Sequence, residues 1–229
     1  MKHHLGPSPA LRRRGRRGSE IVEFAIFSVF MVPLFIWMFV TGMNLLRFIQ
    51  CTEIVRDIGV QTVGGVDYST YPAQSVAQVL AQGYGMNVGS SFTGNEATNN
   101  GNGGSVWIVV SQIMYVGATS CASLPSGTNC TNENPYVFVR QVSFGNSAVQ
   151  FNGTQVQSAF GAFTAAVNSS GYVESYLTAA NAQCPNMANF MQTQLSDGQY
   201  AYVVEGFFAD PGLGFSAYPA GGIYVRTFF

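Results

Sequence analysis

One carboxylate lies at the start of a long apolar stretch, where its charge needs a partner. Glu23 comes five residues after Gly18, and Phe24 opens a run of 23 residues without an ionisable side chain. A carboxylate at the edge of a bilayer costs about 1–3 kcal/mol, depending on its depth. Two explanations are equally compatible with this position by itself. Glu23 pairs with an opposite charge, or it reaches the lipid headgroups or interacts with the positive end of the helix dipole.

The rest of the sequence offers little for catalysis. The only two histidines, His3 and His4, lie in the basic N-terminal segment, so the remainder has no Ser–His or Cys–His pair and no imidazole metal ligand. The carboxylates are scattered, and "GNGG" lacks the lysine of a phosphate-binding loop. We expect no enzymatic activity, no metal, no cofactor and no small-molecule substrate.

The apolar run from Phe24 to Leu46, which includes Pro33 and Trp37, is long enough to cross a membrane. As a helix it would measure about 35 Å, against about 30 Å for the hydrocarbon core. Six of the ten Lys and Arg residues precede Gly18, whereas four arginines and all eleven acids follow it. This asymmetry predicts a cytoplasmic N-terminus and an exported remainder, and it does not suit a nucleic-acid partner.

A cleaved signal peptide is the simpler alternative for this segment. The apolar run is too long for one, and no small-x-small cleavage site follows it. A twin-arginine signal also fits poorly, because the residues after Arg16 and Arg17 do not match its apolar consensus. The sequence therefore favours a retained membrane helix.

The segment around Gly18 resembles the processing site of type IV prepilins. The basic leader "MKHHLGPSPALRRRGRRG" ends in Gly18, and the pattern Gly-x-x-x-x-Glu-Phe follows. The order of a basic run, a small residue, "VEFA" and a hydrophobic stretch is most similar to TadE-like proteins, which are minor pilins or pseudopilins of the tight-adherence (Flp) type IV pilus system. This similarity covers about residues 12–57, and beyond them it rests on architecture alone.

The resemblance implies a cut between Gly18 and Ser19 by a prepilin peptidase in the membrane, which would leave an α-amine on Ser19. It also implies that this amine pairs with Glu23 of a neighbouring subunit, so that two charges costly in lipid neutralise each other. Glu23 and Phe24 would then be the assembly residues. The implied partners are the peptidase, the inner membrane and other pilins and minor pilins.

The four cysteines fit an exported domain. Cys121 and Cys130 close "CASLPSGTNC", a short loop with Pro, Gly and Asn, and are predicted to form a disulfide. Cys51 and Cys184 form a possible second disulfide. Because Cys51 lies at the membrane edge, two buried free thiols are the alternative.

The helical pattern continues beyond the membrane. Apolar residues at spacings of three and four from Leu45 to Val63 predict an amphipathic extension that ends at Gly64-Gly65. "YPAQSVAQVLAQGYG" predicts a short second helix. Four segments rich in Val, Ile and aromatics predict two β-hairpins, the first of them closed by the cysteine loop. These strands are Ser105–Val116, Tyr136–Phe144, Gln199–Phe208 and Gly221–Phe229.

Two finer predictions concern the region around the second strand. In that strand, alternation places Tyr136, Phe138, Arg140, Val142 and Phe144 on one face. Between the hairpins, the Ala-rich pieces "AFTAAVNSS" and "YVESYLTAANAQ", within residues 155–195, predict short helices.

The sequence predicts an α+β, pilin-like fold in which the long N-terminal helix packs on an antiparallel sheet of about four strands. Residues 1–18 form a cleaved cytoplasmic leader, residues 19–63 form the helix, which spans the membrane at about 24–46, and residues 64–229 form a periplasmic head. The function expected is that of a TadE-like minor pilin in pilus initiation, assembly or adhesion, held in the inner membrane or carried at the cell surface. The alternatives are a general-secretion pseudopilin or a membrane-anchored periplasmic binding protein.

Overall fold

The computed structural model contains three α-helices and six β-strands in the ranges that it describes. These ranges are residues 16–83, 86, 88, 104–161, 163–191, 195–209 and 221–229. The helices are α1 (Arg16–Val63), α2 (Tyr71–Gly83) and α3 (Ala118–Ala122). The strands are β1 (Val106–Tyr115), β2 (Tyr136–Gly145), β3 (Gln150–Phe151), β4 (Thr154–Gln155), β5 (Tyr200–Ala209) and β6 (Gly222–Phe228). Most of the predicted leader, residues 1–15, lies outside the described residues.

Helix α1 contributes to two compact units, one ending at Arg47 and the other running from Phe48 to Phe229. In the first unit the helix continues through Pro33. The two hydroxyl side chains between Phe24 and Leu46 bond back to the helix itself: Ser28 Oγ donates to Phe24 O at 2.7 Å, and Thr41 Oγ1 donates to Trp37 O at 2.8 Å. Both hydroxyls are thus satisfied without water, as a lipid environment requires.

In the second unit, the last four turns of α1 cover one face of the sheet. Four residues at helical spacing are at most 1% exposed, namely Cys51, Ile54, Val55 and Ile58. They share a core with α2 and with inward side chains of the sheet, among them Ile108, Phe144 and Val204. The helix ends as predicted, because Gly65 takes a φ of 91° and Val66 N donates to Gln61 O at 2.9 Å.

The main sheet has four antiparallel strands in the order β2-β1-β5-β6. Strands β1 and β2 form the first predicted hairpin, β5 and β6 form the second, and β1 joins them by pairing with β5 from Val106↔Phe208 to Met114↔Tyr200. The α+β class and the sheet of four strands are therefore confirmed. Strands β3 and β4 form a separate two-stranded hairpin, and Phe151 of β3 packs against Phe207 of the main sheet.

A β-bulge in β2 overturns the prediction that five alternate residues share one face. Gln112 pairs with Arg140, but the next residue of β1, Ile113, pairs with Phe138, so Val139 is extra. An extra residue shifts the alternation by one and turns the preceding side chains to the other face. Phe138 consequently lies in the core opposite the helix, whereas Phe144 lies in the core under it.

The face of the sheet opposite α1 is covered by the segment between the two hairpins. The short helices predicted there are wrong: within its described residues this segment has turns, isolated bridges and two 3-10 turns, Ala180–Ala182 and Met187–Asn189. Its backbone bonds instead to the edge of β2. Val173 N donates to Val139 O and Cys184 N to Tyr136 O, so tertiary pairing overrides the local helix propensity of alanine.

The cysteine loop is closed as expected, by a disulfide between Cys121 and Cys130. The possible bridge between Cys51 and Cys184 is absent, because the two thiols are buried in separate cores, Cys51 beneath α1 and Cys184 on the opposite face. Burial raises the pKa of the Cys184 thiol to about 12, which keeps it protonated and unreactive.

The close contact between α1 and β5 makes Gly206 a sensitive position. A Cβ added there would lie 2.5 Å from Val55 Cγ2, and Val55 is fully buried and β-branched, so it cannot easily move away. We expect Gly206→Ala to destabilise the head by about 1–3 kcal/mol through overpacking. Thermal unfolding followed by near-ultraviolet circular dichroism would measure this. Gly83→Ala is the matched control, since a Cβ at Gly83 meets no atom of the described residues within 4 Å. A Gly206→Ala protein that melts like the control would contradict the packing described.

Candidate functional site

The first half of α1 presents large apolar side chains to its surroundings on all sides. Phe24 is 74% exposed, Phe30 is 72% exposed and Trp37 is 60% exposed. Within the described residues, α1 is the one helix long and apolar enough to cross a membrane. Such a surface is not stable in water and needs lipid or apolar protein around it. This supports a single-pass membrane segment.

The predicted processing and assembly residues all lie near the beginning of this helix. Gly18, Glu23 and Phe24 are exposed within α1, and the side chain of Ser19 is outside the described residues. Toward the C-terminus, the next ionisable residue after Glu23 is Arg47, about 36 Å along an α-helix. The apolar segment therefore supplies no cation to Glu23.

A second charged site lies in the head, where Arg140 of β2 meets the turn after α1. Its guanidinium forms an ion pair with Asp67, donates from Nε to Ser170 O at 2.9 Å and stacks 4.6 Å above the ring of Tyr172. Burial of Asp67 acts to raise the pKa of its carboxyl group, but hydrogen bonds from Ser69 and Arg140 outweigh it and lower that pKa. The ion pair borders a cleft of about 230 Å³. Through these contacts Arg140 joins strand β2 to the turn after α1 and to the loop that holds Ser170 and Tyr172.

A buried carboxylate lies on the opposite face of the sheet. Glu205, 1% exposed in the middle of β5, accepts hydrogen bonds from Ser158 Oγ, from Ala159 N at 2.9 Å and from Tyr224 Oη at 2.7 Å. Burial and the charge of Glu205 raise the pKa of Tyr224. A serine that donates to a carboxylate resembles an activated nucleophile, but three donors already satisfy this carboxylate. The arrangement is that of a structural clamp.

A third carboxylate anchors the disulfide loop. Asp197 accepts hydrogen bonds from Ser120 Oγ and from the backbone N–H groups of Gly117, Thr119 and Ser120 at 2.7, 2.7 and 3.0 Å. These bonds, that from Ser120 Oγ foremost, lower the pKa of Asp197 well below its ordinary value of 3.8. Asp197 thus caps α3 from a position 77 residues farther along the chain.

Sequence reasoning found none of these three carboxylates, since their partners are distant in the chain. Glu205 did carry a signal, because an acid within the apolar strand "YVVEGFF" indicates a buried polar contact. In the part of the chain that the structure covers, no three His, Cys, Asp or Glu side chains group as metal ligands would.

Comparisons of the chain with protein-family models, with curated proteins and with solved structures find no match in any of the three. The head and the helix are therefore interpreted from their own geometry and from the motif at Gly18 and Glu23.

The Asp197 contacts predict that a neutral side chain loosens the disulfide loop. In Asp197→Asn, the amides of Thr119 and Ser120 lose a charged acceptor, and we expect them to exchange roughly three- to tenfold faster at neutral pH. Because the folded pKa is lowered, this contribution to stability is complete above about pH 5. It is lost as the pH falls from about 3.8 toward the lowered folded value.

Hydrogen–deuterium exchange of the peptide around residues 117–123 would measure the effect. Glu133→Gln is the control, because it removes one exposed carboxylate without touching the loop amides. Equal exchange in the Asp197→Asn and control proteins, or a difference that grows in acid, would be inconsistent with the cap.

Proposed function

We propose that this chain is a TadE-like minor pilin or pseudopilin of a tight-adherence pilus system. The observation that carries the proposal is Glu23, placed five residues after Gly18 at the entry of an exposed apolar helix. The chain acts by assembly: its helix joins a bundle of similar helices, and its head remains outside the cytoplasm.

The charge at Glu23 explains how assembly selects the correct register. Cleavage after Gly18 creates an α-amine at Ser19, and this amine and the Glu23 carboxylate of a neighbouring helix neutralise each other in a medium where either charge alone is costly. A subunit shifted along the bundle leaves both charges unpaired, at about 3–5 kcal/mol. The pair therefore favours one position of each subunit.

Two features of the structure support this proposal. The last turns of α1 pack on an antiparallel sheet, which suits a pilin-like head. The Cys121–Cys130 disulfide suits an oxidising compartment, as expected for a periplasmic head with a cytoplasmic N-terminus.

The N-terminus of the mature protein tests the processing step. We expect intact-mass measurement to give a chain that begins at Ser19 in cells that have the leader peptidase, and one that retains the leader in cells without it. Gly18→Phe should block the cut, because it places a bulky ring directly before the cut, where glycine has no side chain. Gly15→Phe, three residues earlier in the same leader, should leave the cut unchanged. A mature chain that keeps Met1, or that begins after residue 40, excludes this function.

The role of Glu23 is tested separately. We expect Glu23→Ala to insert into the membrane and lose its leader normally, but to enter the sheared pilus fraction at least about a hundredfold less, the ratio that corresponds to about 3 kcal/mol. Glu20→Ala is the matched control, since Glu20 is an exposed acid three residues earlier in the same helix. Normal incorporation of Glu23→Ala would contradict the role of Glu23 in assembly. Absence of the unaltered chain from the pilus fraction would favour the alternative, a membrane-anchored periplasmic binding protein. A general-secretion pseudopilin would pass the processing test and fail to appear in a tight-adherence pilus.

A further inference from the structure

The head contains a cavity of about 310 Å³ on the face of the sheet opposite α1. Its lining includes Trp107, Gln141, Gln155, Gln157, Ser158 and Phe163. The proposed pilus function uses none of these side chains. The volume is at the lower end of the range for small-molecule sites, which suits one ring-sized ligand.

The lining of this cavity carries no charge, since none of the residues that the structure describes around it is ionisable. Glu205 lies beneath it, but its carboxylate already accepts from Ser158, Ala159 and Tyr224. An ionic ligand would lose its hydration here without gaining an opposite charge, so the cavity favours a neutral one.

The aromatic side of the cavity is rigid. The ring of Trp107 stacks on Phe207, with centroids 5.0 Å apart and planes at 25°, so Phe207 covers one face of the indole and the rest of the ring lines the cavity. Phe163 also lines the cavity and packs edge-on against Phe138, with ring centroids 5.3 Å apart. Two fixed aromatic rings offer apolar surface to the C–H groups of a ligand with little loss of side-chain entropy.

The polar side of the cavity presents three glutamine amides. Gln141 Nε2 donates to Ser111 Oγ at 3.1 Å, and Gln155 Nε2 donates to Ser147 O at 3.1 Å, so among the described residues the carbonyl oxygens of both side chains remain as acceptors. Gln157 makes no side-chain hydrogen bond within the described ranges, and its amide can both donate and accept. Such a set matches hydroxyl groups, each of which is a donor and an acceptor.

We propose that this cavity binds one neutral sugar ring, either a free monosaccharide or the terminal residue of a neutral glycan. Apolar C–H groups of the ring would contact Trp107 and Phe163, and its hydroxyls would bond to the glutamine amides. This binding does not depend on the pilus function. It would give the head a chemical target whether or not the chain enters a filament.

The test uses the full chain in phospholipid nanodiscs, because glucoside and maltoside detergents would compete for the cavity. Trp37→Phe leaves Trp107 as the only tryptophan and hence as the fluorescent reporter. We expect methyl glycosides of glucose, galactose, mannose and the N-acetylhexosamines, titrated singly, to include at least one that changes the emission saturably. The expected dissociation constant is about 1–10 mM, in keeping with the efficiency of small ligands.

Gln157→Ala in the same background should weaken binding at least about fivefold, because it removes an amide that makes no contact needed for folding. Gln82→Ala is the matched control, an exposed glutamine on α2 far from the cavity in sequence. A neutral glycan array with the same proteins distinguishes the sources: a glycan that binds more tightly than its terminal methyl glycoside indicates a glycan target, and equal affinity indicates the free sugar.

Three outcomes would overturn the proposal. One is the absence of any saturable change up to about 100 mM glycoside, well above the expected dissociation constant. Another is a response to carboxylated sugars or to the acyclic polyol sorbitol that equals the response to neutral rings. The third is equal affinity in the Gln157→Ala and Gln82→Ala proteins, which would locate the sugar elsewhere. None of these outcomes affects the N-terminal mass or the incorporation of Glu23→Ala, so the two proposals fail independently.

Discussion

The structure depends on one constraint, namely that a single helix has to be stable in two different environments. Up to Arg47 it exposes apolar side chains on every side and bonds its own hydroxyls back to its backbone. From Phe48 onward it buries a single stripe, Cys51, Ile54, Val55 and Ile58, under a sheet. Only the first half can be stable in lipid, and only the second can be stable as part of a water-soluble head. Glu23 is charged although it lies at the start of the apolar half, which is why its charge is the centre of the proposed function.

Much of the fold could be predicted because its signals are local. The long helix, its end at Gly64-Gly65, the short helix α2 and all four main strands follow from periodicity and composition. The features that were missed depend on contacts distant in the chain. The bulge at Val139 is visible only from the register with β1, and the Ala-rich pieces lose their helical preference to the edge of β2.

The same distinction applies to the sites. The motif at Gly18 and Glu23 is contained in six consecutive residues, so it can be recognised without a structure. Asp197, Glu205 and Asp67 each have a partner far along the chain, 77, 47 and 73 residues away respectively, and only folding brings these pairs together. The glutamine-lined cavity is similar, because Trp107, Gln141 and Gln157 come from two strands and a loop that share no sequence pattern.

The order of the strands also bears on how the chain folds as it is synthesised. Strand β1 lies inside the sheet, and its neighbour on one side, β5, is made about 90 residues later. The hairpin of β1 and β2, with its cysteine loop, is complete long before β5 is made and can form early. The apolar stripe of α1 has no complete sheet to cover until residues 200–229 have been made. Until then the chain carries an exposed apolar helix face beside an incomplete sheet, which is the type of surface that aggregates or is bound by chaperones.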